Sequence, residues 1–171
     1  MNNYNLLVHY SSEKGYFSAR KEIEKTLISL GDKKPIIDKL TDGSVIGVKT
    51  ILEPKEVISE LKEKAILNPS EFLATKKWVP IEYWCAANRN AIETEIKDLR
   101  SQINAGERWS IDIETWGRNP NSEELLQLFK NIIPERFVEE SGSKTIFVEF
   151  QAKEAAISII KPIDIFVVVE M

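Results

Sequence analysis

Between Trp109 and Ile160 the spacing of apolar residues changes twice, and that succession leaves few folds open. Over 108–116 the alternation is clean: Trp109, Ile111 and Ile113 face one way, Ser110, Asp112 and Glu114 the other, which predicts a strand. A helix follows, capped by Asn121 and Glu124, with Leu125, Leu128, Phe129 and Ile132 on one face and Pro134 as its stop. After a polar, Glu-rich loop over 135–143, residues 145–150 and 155–160 read as a hairpin. The order is a strand, a helix entered through a capped turn, and a closing pair of strands. Upstream lies another helix, capped by Asn90 with Glu93 reaching back, whose buried stripe is Ile92, Ile96, Leu99 and Ile103. Lys161-Pro162 breaks the last hairpin, and Ile163 to Val169 forms a final apolar strand.

The first half has its own order. Residues 4–10 read as a strand. From Tyr16 to Leu30 the apolar positions 16, 19, 23, 27 and 30 share a helical face, and Gly31 stops the helix. Strands near 35–40 and 45–51 are joined through Asp42-Gly43, a hairpin signal. Pro54 opens a second helix with Val57, Ile58, Leu61 and Ala65 inward, and Trp78 to Trp84 is the closing strand. This β-α-β-β-α-β order is a ferredoxin-like unit. The expected fold class is α+β, with a ferredoxin-like domain over 1–85 and an α/β domain over 86–171, the seam lying near Cys85-Ala86-Ala87-Asn88.

The 171 residues suit one large domain or two small ones. No apolar run approaches the ~20 residues that span a bilayer, so no membrane partner is expected. The first residues lack the basic and apolar regions of a signal peptide, and the single Cys85 cannot form an internal disulfide; both point to a reducing, cytoplasmic setting. The net charge of −4 argues against a general nucleic-acid binder. Residues 1–85 hold 13 Lys/Arg and 12 Asp/Glu, whereas 86–171 hold 10 and 15, so any RNA site there is a local basic patch on an acidic body.

Catalytic chemistry is sparse. His9 is the lone histidine and reads as a structural strand residue; the ferredoxin-like topology argues against a Cys85–His9 dyad. One His and one Cys cannot make a zinc site, so no metal is expected. Asp112 and Glu114 read as a solvated strand face. The glycines form neither a dinucleotide fingerprint nor a P-loop, and no cofactor is expected. The chain reads as a non-enzyme.

Several segments resemble a THUMP domain, a module that holds tRNA. Trp116-Gly117-Arg118-Asn119-Pro120-Asn121-Ser122 sits where that family has a strand end, a basic residue and a capped helix. Trp78-Val79-Pro80-Ile81-Glu82 is similar to the stretch that joins the family's ferredoxin-like and THUMP parts. Ile146-Phe147-Val148-Glu149-Phe150 and Ala156-Ile157-Ser158-Ile159 resemble its paired closing strands. The likeness covers about residues 75–169. It implies a non-catalytic adaptor that binds tRNA and presents it to a separate RNA acetyltransferase for N4-acetylcytidine formation.

RNA recognition needs cations for phosphates and flat groups for bases. Arg118, in a turn that exposes its guanidinium, and Trp116 are the first candidates. Arg108, Lys144, Arg89, Lys97, Arg100, Lys76 and Lys77 complete the set. The alternative is a ferredoxin-like regulatory protein that senses a small metabolite.

Overall fold

The computed structural model describes residues 1–169, and the chain divides into two compact units. One comprises residues 3–81 and 163–169; the other comprises residues 82–162 with Met1 and Asn2.

In the first unit, β1 (Leu6–Tyr10), β2 (Ile36–Lys39), β3 (Val45–Lys49) and β4 (Thr75–Pro80) alternate with α1 (Tyr16–Leu30) and α2 (Pro54–Leu67) in the predicted order. A further strand, Phe166–Val167, joins this sheet (it is β10 in chain order), and all pairings are antiparallel in the order β10-β4-β1-β3-β2. Helix α1 buries Ala19, Ile23 and Leu27. Gly31 ends it in the left-handed region at φ 113°. There the Gly31 N–H donates to Ile28 O at 3.1 Å and the Asp32 N–H to Leu27 O at 2.9 Å, a Schellman closure. Helix α2 starts on Pro54 and buries Val57, Ile58 and Leu61. The buried Trp78 indole is satisfied by donating to Thr75 Oγ1 at 3.0 Å. Glu22 of α1 accepts from the N–H groups of Leu73, Ala74 and Thr75 at 2.8, 3.0 and 2.8 Å, fixing the entry to β4.

The second unit contains β5 (Tyr83–Ala86), α3 (Arg89–Leu99), β6 (Arg108–Glu114), α4 (Ser122–Ile132), β7 (Arg136–Phe137), β8 (Lys144–Gln151) and β9 (Glu154–Ile160). Its sheet runs β5-β9-β8-β6-β7. Strand β6 is parallel to both neighbours, while the β8–β9 and β9–β5 pairs are antiparallel. The core packs Ile92, Ile96 and Leu99 of α3 and Leu125, Leu128 and Phe129 of α4 onto Trp109, Ile146, Val148 and Ile157. Trp109 Nε1 donates to Glu135 O at 2.8 Å.

Four expectations change. Trp78 to Trp84 is two strands, β4 and β5, in different sheets. The division falls at 81/82 rather than 85/86: the Ile81 N–H donates to Asn5 O at 3.0 Å, whereas the Glu82 N–H donates to Ser158 Oγ and its carboxylate accepts from the Ile159 N–H, both at 3.0 Å. The final apolar segment belongs to the first unit, because β10 pairs with β4. The cap of α3 is Asn88, whose Oδ1 accepts from the Ala91 N–H at 2.9 Å, not Asn90.

Candidate nucleic-acid interface

Strand β6 organises the second unit. Its seven residues span about 20 Å at ~3.3 Å per step, so its two ends are separate places. At the C-terminal end the chain leaves the strand at Glu114 and turns sharply. Trp116 and Gly117 have φ of 52° and 75°, both left-handed. The turn closes through Arg118 N–H to Thr115 O at 3.0 Å and Trp116 N–H to Glu114 Oε1 at 2.9 Å. A left-handed tryptophan costs about 1–2 kcal/mol, and such positions gather at functional sites. Trp116 therefore lies in the turn beyond the end of β6, and 37% of it is exposed.

Arg118 is half-buried and its Nη1 is shielded from solvent, so the turn does not hold out a free fork as the sequence reading expected. Helix α4 begins at this end, with Asn121 Oδ1 accepting from the Glu124 N–H at 2.9 Å. Glu123 and Glu124 occupy its first turn, stabilising the helix and lowering its attraction for an anion. Helix α3 also begins here. The Ala87 N–H donates to Lys153 O at 2.9 Å in the β8–β9 turn, and β8 leaves the sheet beside the end of β6, with Glu114 opposite Glu149. The first turn of α3 carries no acid. Arg89 and Lys153 are exposed, and among the described residues neither side chain makes a hydrogen bond or ion pair. Trp116, Arg118, Arg89 and Lys153 thus share one end of the unit. Lys153 was not a sequence candidate; its only signal is its position in a hairpin turn.

Other candidates lie elsewhere. Lys97 pairs with Glu93 at 3.1 Å on the flank of α3. Lys144 is a structural tie: Nζ donates to Gln102 O at 2.7 Å and Glu107 Oε1 at 3.1 Å. The Asn104 backbone N–H, then Lys144, holds the Glu107 carboxyl below its usual range. Arg100 and Arg108 are exposed at the N-terminal end of β6, about 20 Å from the Trp116 turn. Lys76 and Lys77 lie on β4 in the other unit, Lys76 exposed and Lys77 half-buried opposite His9. Within the 82–162 unit the basic candidates therefore do not form one patch.

The fold is shared with two solved proteins. PH1313 from Pyrococcus horikoshii Ot3 aligns over 93% of this chain with TM-score 0.60 at 13% identity. TrmN from Thermus thermophilus aligns over 92% with TM-score 0.58 at 8% identity. This chain spans 55% of the first protein and 45% of the second, about half of each. No family model and no curated protein matches the sequence.

Burial first, then the charges of Glu95 and Glu154, push the Cys85 thiol up to about 11, which makes it a poor nucleophile. His9 and Cys85 stand on strands of different sheets. Among the described residues no group of three or more His, Cys, Asp or Glu is placed to hold a metal, and no helix is long and apolar enough to cross a membrane.

Proposed function

We propose that this chain is a THUMP-type RNA-binding module that holds tRNA and presents it to a separate modifying enzyme. Following the sequence resemblance, that enzyme is an RNA cytidine acetyltransferase forming N4-acetylcytidine. The supporting observation is that Trp116, Arg118, Arg89 and Lys153 all lie at the same end of the sheet of the 82–162 unit. An exposed indole offers a stacking face for an unpaired base, and the cations and the acid-free first turn of α3 suit phosphate. The chain carries no chemistry of its own in this reading.

Titration against labelled tRNA, with an acidic protein of similar size as control, tests it. The net charge of −4 provides no long-range attraction, so affinity comes from a few close contacts. Neutralising about four phosphates gives a log–log salt slope of roughly −3 to −4. Trp116→Ala removes the stacking face and is expected to weaken binding by about ten-fold, in line with ~1–3 kcal/mol per stacked base. Incubation with tRNA and acetyl-CoA alone leaves cytidine unmodified. Folded protein that binds no tRNA at low salt, or that acetylates cytidine unaided, overturns the proposal.

A further inference from the structure

The N-terminal end of β6 holds a cationic pair that the sequence separates by 28 positions. Arg108 and Arg136 are in-register partners on the adjacent parallel strands β6 and β7, and both are exposed. Neighbouring strands lie about 4.8 Å apart, and in-register residues project to the same side. Alternation sets that side: Trp109 and Phe137, the next residues, pack against each other toward the helices with ring centroids 5.0 Å apart. Lys130 of α4 sits over the Phe137 ring at 4.8 Å. The Val138 N–H donates to Trp109 O at 2.9 Å, and these contacts together fix a strand of only two residues in register. Arg136 is thereby held beside Arg108 by built contacts.

Like charges side by side on neighbouring strands destabilise a sheet. A structural pair would be relieved by a carboxylate, and acids stand next to both residues in the sequence. They are not used. Glu107 is committed to the Asn104 N–H and to Lys144, at 2.7 and 3.1 Å. Among the described residues, neither the Arg108 nor the Arg136 guanidinium makes a hydrogen bond or ion pair. The unit around them holds 10 Lys/Arg and 14 Asp/Glu over 82–162, so two adjacent free guanidiniums depart from its general charge. Paired forks of this kind match the oxygens of phosphate, to which each donates in bidentate fashion.

We infer that Arg108 and Arg136 form a phosphate clamp for the RNA backbone, about 20 Å along β6 from the Trp116 turn. Bound RNA then touches both ends of the unit. This inference rests on the RNA-binding reading above and adds a second, separate contact to it.

The test compares tRNA affinity and salt slope for the wild type, Arg108→Gln/Arg136→Gln, Arg108→Lys/Arg136→Lys, and Lys33→Gln/Lys34→Gln. The last removes two exposed charges elsewhere and controls for net charge. The Gln pair is expected to bind at least ten-fold more weakly and to flatten the salt slope by about 1–2. Its melting temperature stays the same or rises, because the repulsion is gone. The Lys pair keeps the charge and loses the forks, so its affinity falls between the two at the wild-type slope. The Lys33/Lys34 control binds within about two-fold of wild type. Wild-type binding with an unchanged Gln pair overturns the clamp alone, as does an equal loss in the control. Should the Gln pair fail to fold, a Lys pair with wild-type affinity overturns it. Absence of wild-type binding removes the clamp together with the proposed function.

Discussion

Tyr4 illustrates how one side chain can tie stability to pH. Its hydroxyl donates to Asp38 Oδ2 at 2.7 Å. Burial, then that bond and the Asp38 charge, push the phenol from 10.0 to about 12. Its ring also fills the space above Gly47, where a Cβ would come within 2.7 Å of it. Between pH 10 and 12 the folded chain keeps a proton that the unfolded chain has released, so stability falls as pH rises through that window. The contribution is fully present below pH 10 and is lost as pH passes about 12. Denaturant midpoints measured from pH 9 to 12 are expected to drop, and Tyr4→Phe, which cannot ionise, should flatten that part of the curve. An equal drop in Tyr4→Phe assigns the loss to other groups.

At the scale of elements, the parts legible in the sequence are those set by neighbours along the chain. The β6 strand, the Asn121 cap and the Gly31 stop are local, and all stand in the structure, although Ser110 is buried and Asp112 and Glu114 are half-buried rather than a solvated face. Strand β7 is two residues long, too short for any period to register, and so the stretch 135–143 reads only as a loop. Asn88 and Asn90 are both chemically able to cap α3; the end of β5 at Ala86 decides between them. Gly142 shows the same limit. Its sequence context, Ser-Gly-Ser, signals a loop, yet its role is a close backbone approach. A Cβ there would lie 2.7 Å from Ser110 N, 2.9 Å from Trp109 C and 3.0 Å from Lys144 O. These are backbone atoms that cannot swing aside, on strands held in register. Gly142→Ala is therefore expected to destabilise by about 1–3 kcal/mol, the usual range for overpacking. Urea unfolding measures it, and an unshifted midpoint would show that the β6–β8 connection gives way freely.

The scale of the whole chain was the least legible, because it depends on which sheet each segment joins. Arg136 escaped the sequence reading, and Arg108 entered it without its partner, since nothing local says that two arginines so far apart meet on parallel strands. The sequence puts Arg118 in the right turn, but its half-burial follows from packing that no spacing reveals. The sequence predicts one strand from Ile163 to Val169, whereas Pro162–Asp164 forms a 3-10 turn and only Phe166–Val167 is a strand; the sequence is also silent about its partner. The structure places Phe166 opposite Trp78, with its ring edge-on to Phe72 at a centroid distance of 5.1 Å. Asp164 lies 3.9 Å from Lys55, Lys62 donates to Ile163 O, and the Val168 N–H donates to Lys76 O at 2.8 Å. Truncating the chain after Pro162 removes β10 and uncovers β4 and Phe72. Losing the buried Phe166 alone is worth about 3–5 kcal/mol by analogy with Phe→Ala. Hydrogen exchange across Phe72–Val79 is expected to quicken in the truncated chain, while the β8–β9 hairpin keeps its protection. Had the segment belonged with residues 86–160, as its place in the sequence suggests, the loss would fall on β8 and β9 instead. Exchange resolved by segment distinguishes the two outcomes directly.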